Sequence, residues 1–170
     1  NPALIARAFL FFSYPSMMRG DKVWIANDTI FGLGNKLPDT FTAATPLAEV
    51  AAGTYNACPC DAIIGLIPGS IGETSVVAIG IGAIILLITG IASWRTMLSV
   101  FLGGAFAGMI FSSLGMTTIE WWEHLILGGF CFGAVFMATD PVTSCRTNCG
   151  KYVYGLLIGF VAVTVRVMNP

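Results

Sequence analysis

Long apolar runs organise this chain, not the strict alternation of a half-buried strand or the single stripe of a soluble amphipathic helix. Ser75–Trp94 and Thr96–Gly115 continue without a charged side chain for the roughly 20 residues that a rise of about 1.5 Å each needs to cross about 30 Å of hydrocarbon. Leu125–Thr139 is shorter and halts at Asp140-Pro141, and Tyr152–Val165 meets Arg166 before Asn169-Pro170. Pro2–Met18 is apolar but carries Arg7. The pattern predicts an all-α membrane protein, a multi-span transmembrane helix bundle with interrupted helices and an external loop. An opening helical segment fills 1–18, a loop fills 19–74, and four helices over 75–94, 96–115, 124–139 and 152–168 fill the region 75–170.

Two local patterns refine this picture. Proline follows an acidic or amide residue at Asn1-Pro2, Asp140-Pro141 and Asn169-Pro170, each time beside an apolar run. Proline lacks an N–H and restricts the residue before it, so these are ordinary helix ends or points where a spanning helix is broken. Broken helices inside membranes hold ions in some carriers, which gives the second option its functional interest. Gly104-x-x-x-Gly108, Gly129-x-x-x-Gly133 and Gly155-x-x-x-Gly159 place small residues on three successive helices. Close packing in a tight bundle is the expectation.

Charge then gives orientation. Counting crossings puts Arg95, Arg146 and Lys151 on one side, whereas the connection Met116–Glu123 holds Glu120 and Glu123 and no Lys or Arg. The basic side is expected to be cytoplasmic and residues 19–74 extracytoplasmic. Trp24, Trp94, Trp121 and Trp122 fall near the expected interfaces. Composition agrees: 56% of the 170 residues are hydrophobic, 10% charged, and the net charge is -1. Without a basic block nothing points to a nucleic-acid partner. Asn1 in place of Met, and an apolar run ending at Asn169-Pro170, suggest an internal piece of a longer chain.

Candidate chemistry is sparse. Thr45-Pro46-Leu47-Ala48-Glu49 reads as a helix start, with Thr at the cap and Pro at the first helical position. A helix N-terminus also favours a phosphate, so a phosphate esterified to the capping hydroxyl would sit in a favourable field. Glu73 and Asp140 lie at the edges of apolar runs, where a carboxylate is a candidate for a cation path. The bland reading has Ser70 or Glu73 capping a helix, and Asp140 capping the next turn or pairing with Arg146. Cys58-x-Cys60 is too short for half a zinc site. Cys145 and Cys149 at i,i+4 would share a helix face, and His124 reads as an interface residue, so no metal centre is expected. The chain has no dinucleotide or phosphate-loop motif, so NADH is not expected to bind here.

Asp39-Thr40-Phe41-Thr42-Ala43-Ala44-Thr45 resembles a flavinylation motif in which the last hydroxyl receives FMN through a phosphoester. Together with "NPALIARAFLFFSYP", "IPGSIGE", "GIASWR", "HLILGGF", "FMATDPVTS", "NCGKYVYGLLIG" and "RVMNP", the chain resembles the NqrB family of bacterial sodium-translocating NADH:quinone oxidoreductases along essentially its whole length. The resemblance implies a component of a redox translocase in the bacterial inner membrane, coupling electron flow from NADH to ubiquinone with Na+ export. It implies covalent FMN on Thr45, with Asp39 and Thr42 in the recognised motif, and riboflavin as a further cofactor of the full-length protein. Its partners would be the other subunits of the pump, membrane lipid, and an FMN transferase during maturation. Thr42 and Ala43 depart from the usual Ser-Gly but keep the hydroxyl and the small size. The RnfD component of the ferredoxin-linked Rnf complex is the nearest alternative, and a non-redox solute channel or transporter is the alternative from another class.

Overall fold

The computed structural model describes residues 1–15, 50, 63–65, 74–117 and 119–168. Helix α1, Pro2–Ser13, opens with proline at its first position, where the missing N–H has no intrahelical partner to lose. It ends five residues before the expected boundary at 18. Helix α2, Val76–Ile88, is capped by Ser75, whose Oγ accepts from the Ala78 N–H at 3.3 Å. Ser70 and Glu73 lie outside the described residues, and the cap of α2 is therefore Ser75. Its other end corrects the expected span to Trp94: the Thr89 hydroxyl donates back to the Ile85 and Leu86 carbonyls, and Gly90 turns left-handed at φ 71°. Glycine takes that conformation without Cβ strain, so the helix stops inside a continuous apolar run. Thirteen residues reach only about 20 Å.

Helix α3, Trp94–Ser113, starts two residues before the expected 96, on Ser93, whose Oγ accepts from the Thr96 N–H. It closes at Gly115, again left-handed at φ 68°. The third apolar run is broken within itself. Helix α4, Glu123–Ile126, is a single turn, with the Glu123 carboxylate reaching back to accept from the Glu120 N–H at 2.9 Å. Leu127 is extended and Gly128 is left-handed at φ 63°. The chain resumes as α5, Phe130–Phe132, and widens into a π-turn over Gly133–Met137. The interruption thus falls at Leu127–Gly129, and Asp140-Pro141 ends the run. Helix α6, Asn148–Met168, begins four residues before the expected 152.

Among the described residues α3 and α6 alone are long and apolar enough to cross a membrane, and there is no strand. Their pairing is the most extensive in the fold. Gly155 lies on the Thr96 carbonyl and the Ser99 hydroxyl, Gly159 on the Val100 carbonyl and the Gly104 N–H, and Gly103 on the backbone of Leu156. A Cβ at any of these would overlap main chain that has no rotamer to change. Ser99 Oγ, buried at the crossing, lies within hydrogen-bond reach of both the Thr96 carbonyl at 2.9 Å and the Lys151 carbonyl at 3.1 Å. Of the three glycine motifs, Gly155-x-x-x-Gly159 lies at this contact and Gly104-x-x-x-Gly108 opens toward Phe130, Leu125 and Trp121, whereas Gly133 faces open space, because the chain around it is not a regular α-helix.

The core forms where the interrupted segment lies on this pair. Val100, Ala107, Phe130, Ala134, Ala138 and Val163 are buried together, and the Phe101 and Phe130 rings meet edge-on at 5.9 Å. Helix α2 joins through Ile79 against Met97, Cys131 and Val135. Outward faces are apolar to a degree that water does not tolerate: Phe12 and Ile88 are each 81% exposed. Such faces belong in lipid.

Replacing Gly159 by Ala in the full-length protein is predicted to separate α3 from α6 and lower stability by at least about 1–3 kcal/mol. Gly133→Ala should leave the detergent-solubilised protein within about 0.5 kcal/mol of wild type, since no neighbour stands in the way. Thermal unfolding of the two variants side by side checks this.

Candidate functional site

Asp39, Thr42, Thr45, Glu73, Cys58 and Cys60 lie outside the described residues. Asp140 is described, and its carboxylate is used locally. One oxygen accepts from the Val142 N–H at 3.2 Å and the other from the Thr143 hydroxyl at 3.0 Å, while the Asp140 carbonyl accepts from the Ser144 N–H at 3.0 Å. That is the turn-capping arrangement, and among the described residues no ion pair with Arg146 accompanies it. Asp140 also borders a cavity of about 400 Å³ with Asn1, Leu86, Ile91, Phe136 and Thr139.

The interruption upstream has its own chemistry. A helix that breaks at Leu127 leaves carbonyls without intrahelical partners, and inside an apolar bundle each needs a donor. Arg166, in the last turn of α6, supplies them: its Nη1 donates to the His124 carbonyl at 2.6 Å and to the Leu127 carbonyl at 3.0 Å. Cys131 Sγ donates to the Leu125 carbonyl at 3.0 Å. The break is thus held by one cation and one thiol.

Beside it lies a cavity of about 580 Å³, walled by Val100, Phe130, Ala134 and Ile158, with Arg7, Tyr154 and Arg166 as its polar lining. The volume falls in the range that holds a medium-sized organic ligand, and an apolar body with an electron-rich edge matches the lining. The widened π-turn exposes Gly133 to this space.

His124, expected as a membrane-interface residue, is packed inside the fold at 2% exposure, with neither ring nitrogen hydrogen-bonded. The turn through Trp121-Trp122 brings the chain back alongside the last turns of α3, against Gly108, and so carries His124 inward. Cys145 precedes α6 while Cys149 lies in its first turn, so the two do not share a helix face. Three or more metal-ligating side chains do not converge among the described residues. Arg166 is visible in the sequence as a charge in an apolar run, and such a residue turns inward by default. The Gly128-Gly129 pair is the corresponding signal for the break.

Glycine-packed apolar helices, a broken third segment and outward faces suited to lipid define an integral membrane protein of helical class. The chain belongs to the NQR2, RnfD, RnfE family, which it matches over residues 1–170. It is similar to three curated proteins, each named as the B-type subunit of a Na(+)-translocating NADH-quinone reductase. Identity is 48% to that of Chromohalobacter salexigens, 45% to that of Ectopseudomonas mendocina and 43% to that of Pseudomonas paraeruginosa, over 100% of this chain each time. The chain spans 41% to 42% of the length of these relatives.

Substituting Arg166 by Met is predicted to leave the His124 and Leu127 carbonyls without this donor, at about 1–3 kcal/mol for each buried group. Arg166→Lys should recover part of the loss, because an ammonium keeps the charge but not the planar fork. Unfolding of the full-length protein in detergent measures both, and equal stability for all three forms would contradict the assignment.

Proposed function

We propose that this chain belongs to a membrane component of a sodium-pumping NADH:ubiquinone oxidoreductase, carrying FMN bound covalently through Thr45. The carrying observation is the identity of 43% to 48% over the whole chain to relatives named as the B-type component of such a reductase. The sequence Asp39 to Thr45 supports the flavin: a hydroxyl ending the motif gives a phosphoester its anchor, and Asp39 and Thr42 are what an FMN transferase would read. The flavin supplies the electron transfer, and the chain supplies position. Riboflavin, as a second and non-covalent flavin, would suit the cavity lined by Arg7, Tyr154 and Arg166 in volume and in its mixture of apolar wall and donors.

In this reading the protein sits in the bacterial inner membrane with its basic end in the cytoplasm and residues 19–74 outside. Arg95 Nη1 donates to Asn148 Oδ1 at 2.8 Å, and Arg146 and Lys151 line one cavity, so the basic residues do gather at one end. Trp94 marks that end and Trp121 the other. Asp140 lies at the basic end, and with Glu73 it is the candidate for a Na+ path. The other subunits of the pump, NADH and ubiquinone act at the level of the assembled complex. The RnfD reading shares the family, and the naming of the relatives favours the quinone enzyme. A solute channel would have no use for the Asp39 to Thr45 motif.

Co-expression of the full-length protein with a flavin transferase tests the proposal. Wild type should fluoresce under ultraviolet light after denaturing electrophoresis, and Thr45→Ala should be dark at equal band intensity. A dark wild-type band, with the transferase active on a control substrate, would remove the covalent flavin and favour the channel.

A further inference from the structure

A cavity of about 230 Å³ lies between the α2–α3 turn and the segment that leads from Asp140 into α6. Ser93, Thr139, Ser144, Arg146 and Lys151 line it, with no carboxylate among its walls. The nearest acid in sequence, Asp140, is occupied by the Val142 N–H and the Thr143 hydroxyl. Among the described residues neither the Arg146 guanidinium nor the Lys151 ammonium has an ion pair, so two basic residues line one small space without a counter-ion among them.

A second observation is independent of charge. Ser144 Oγ is buried and has no hydrogen-bond partner. A buried hydroxyl left unpaired is destabilising, and because Ser144 lines the cavity, rotation of its side chain toward an acceptor there would remove that penalty. Thr139 and Ser93 are already satisfied, the first by the Val135 carbonyl and the second by Thr96. The open demand is for an anion that also accepts from a hydroxyl, and a phosphate oxygen does both.

The surroundings select the source of the phosphate. The cavity lies at the end of the bundle where Trp94 is 53% exposed with the Arg95 guanidinium 5.4 Å from its ring, an arrangement suited to the headgroup level of a bilayer. Exposed apolar side chains adjoin it, Ile91 in its wall and Val142, 83% exposed, next to Pro141 at its rim. A free phosphate would use the cations and leave those apolar surfaces bare. An acyl chain would cover them.

We infer that Arg146, Lys151 and Ser144 form a binding site for the headgroup phosphate of an anionic glycerophospholipid at the basic end of the helix bundle. Basic pockets between membrane helices recognise such headgroups by their charge. A zwitterionic lipid would bring its own ammonium toward Arg146 and Lys151 and bind less well. The sequence shows no polybasic arm; the fold builds the site by bringing Ser93 to residues more than fifty positions further along. This inference rests on the membrane placement and is independent of the flavin.

The test uses the full-length protein in its purified complex, stripped of lipid by detergent exchange. Dioleoylphosphatidylglycerol, dioleoylphosphatidylcholine or inorganic phosphate is then added, and bound lipid is counted by native mass spectrometry. Wild type should retain phosphatidylglycerol in preference to phosphatidylcholine. Arg146→Gln with Lys151→Gln should weaken that retention by about tenfold or more. Ser144→Ala, which removes one hydroxyl and disturbs the fold least, should weaken it by a smaller factor, and Arg146→Lys should restore most of the binding. Unchanged phosphatidylglycerol retention in both Ser144→Ala and the double variant would overturn the site. Inorganic phosphate that displaces the lipid from wild type at equal concentration would overturn the lipid as its occupant.

Discussion

Main chain resting on main chain, where Gly155 and Gly159 of α6 meet Thr96, Val100 and Gly104 of α3, is the constraint on which the rest of the structure depends. In lipid no hydrophobic force distinguishes a neighbouring helix from a neighbouring acyl chain, so association rests on dispersion at close range and on polar contacts. Glycine allows the first. Ser99, placed between the Thr96 and Lys151 carbonyls, supplies the second.

A close pair of helices then determines what the third segment can be. Gly104 and Gly108 of α3 leave shallow ground on which Phe130, Leu125 and the backbone of Trp121 settle. A straight helix is not what settles there. The chain makes one turn, breaks at Leu127–Gly129, resumes and widens. Such a path is stable in a membrane only if its freed carbonyls find donors, and Arg166 reaches them from the far end of α6. The same irregularity leaves the cavity lined by Arg7, Tyr154 and Arg166 and the smaller one at Asp140. Spaces suited to a cofactor or an ion are thus by-products of how the broken segment is supported.

Legibility in the sequence depends on whether the deciding signal is local. The two long helices and the Gly155-x-x-x-Gly159 face follow from run length and small-residue spacing, both properties of a short window. Gly129-x-x-x-Gly133 has the same spacing, yet nothing lies against Gly133, because the inference presumes a regular helix and the chain here follows a positive-φ turn at Gly128 and widens from Gly133. The stop at Thr89-Gly90 is hidden by hydrophobicity that continues unchanged through it. His124 looks like an interface residue beside two tryptophans, and only the fold-back of the chain along α3 turns it inward. The anion-seeking group of Ser144, Arg146 and Lys151 is invisible as a run, since Ser93 reaches it only through tertiary structure. Asp140 is the opposite case: its turn-capping role is a matter of three residues, and the plainer reading of its local sequence holds where the pairing with Arg146 does not.

The central claim, that α3 and α6 touch along their length and frame the molecule, has a direct test in the native membrane. Phe106 and Phe160 face each other with ring centroids 6.5 Å apart. Cysteines placed at both positions in the full-length protein, treated with a short bifunctional thiol reagent and digested, should give one linked peptide by mass spectrometry. A control pair at Ser113 and Val153, near opposite ends of the two helices, should give none. A linked control with no link between positions 106 and 160 would contradict the account.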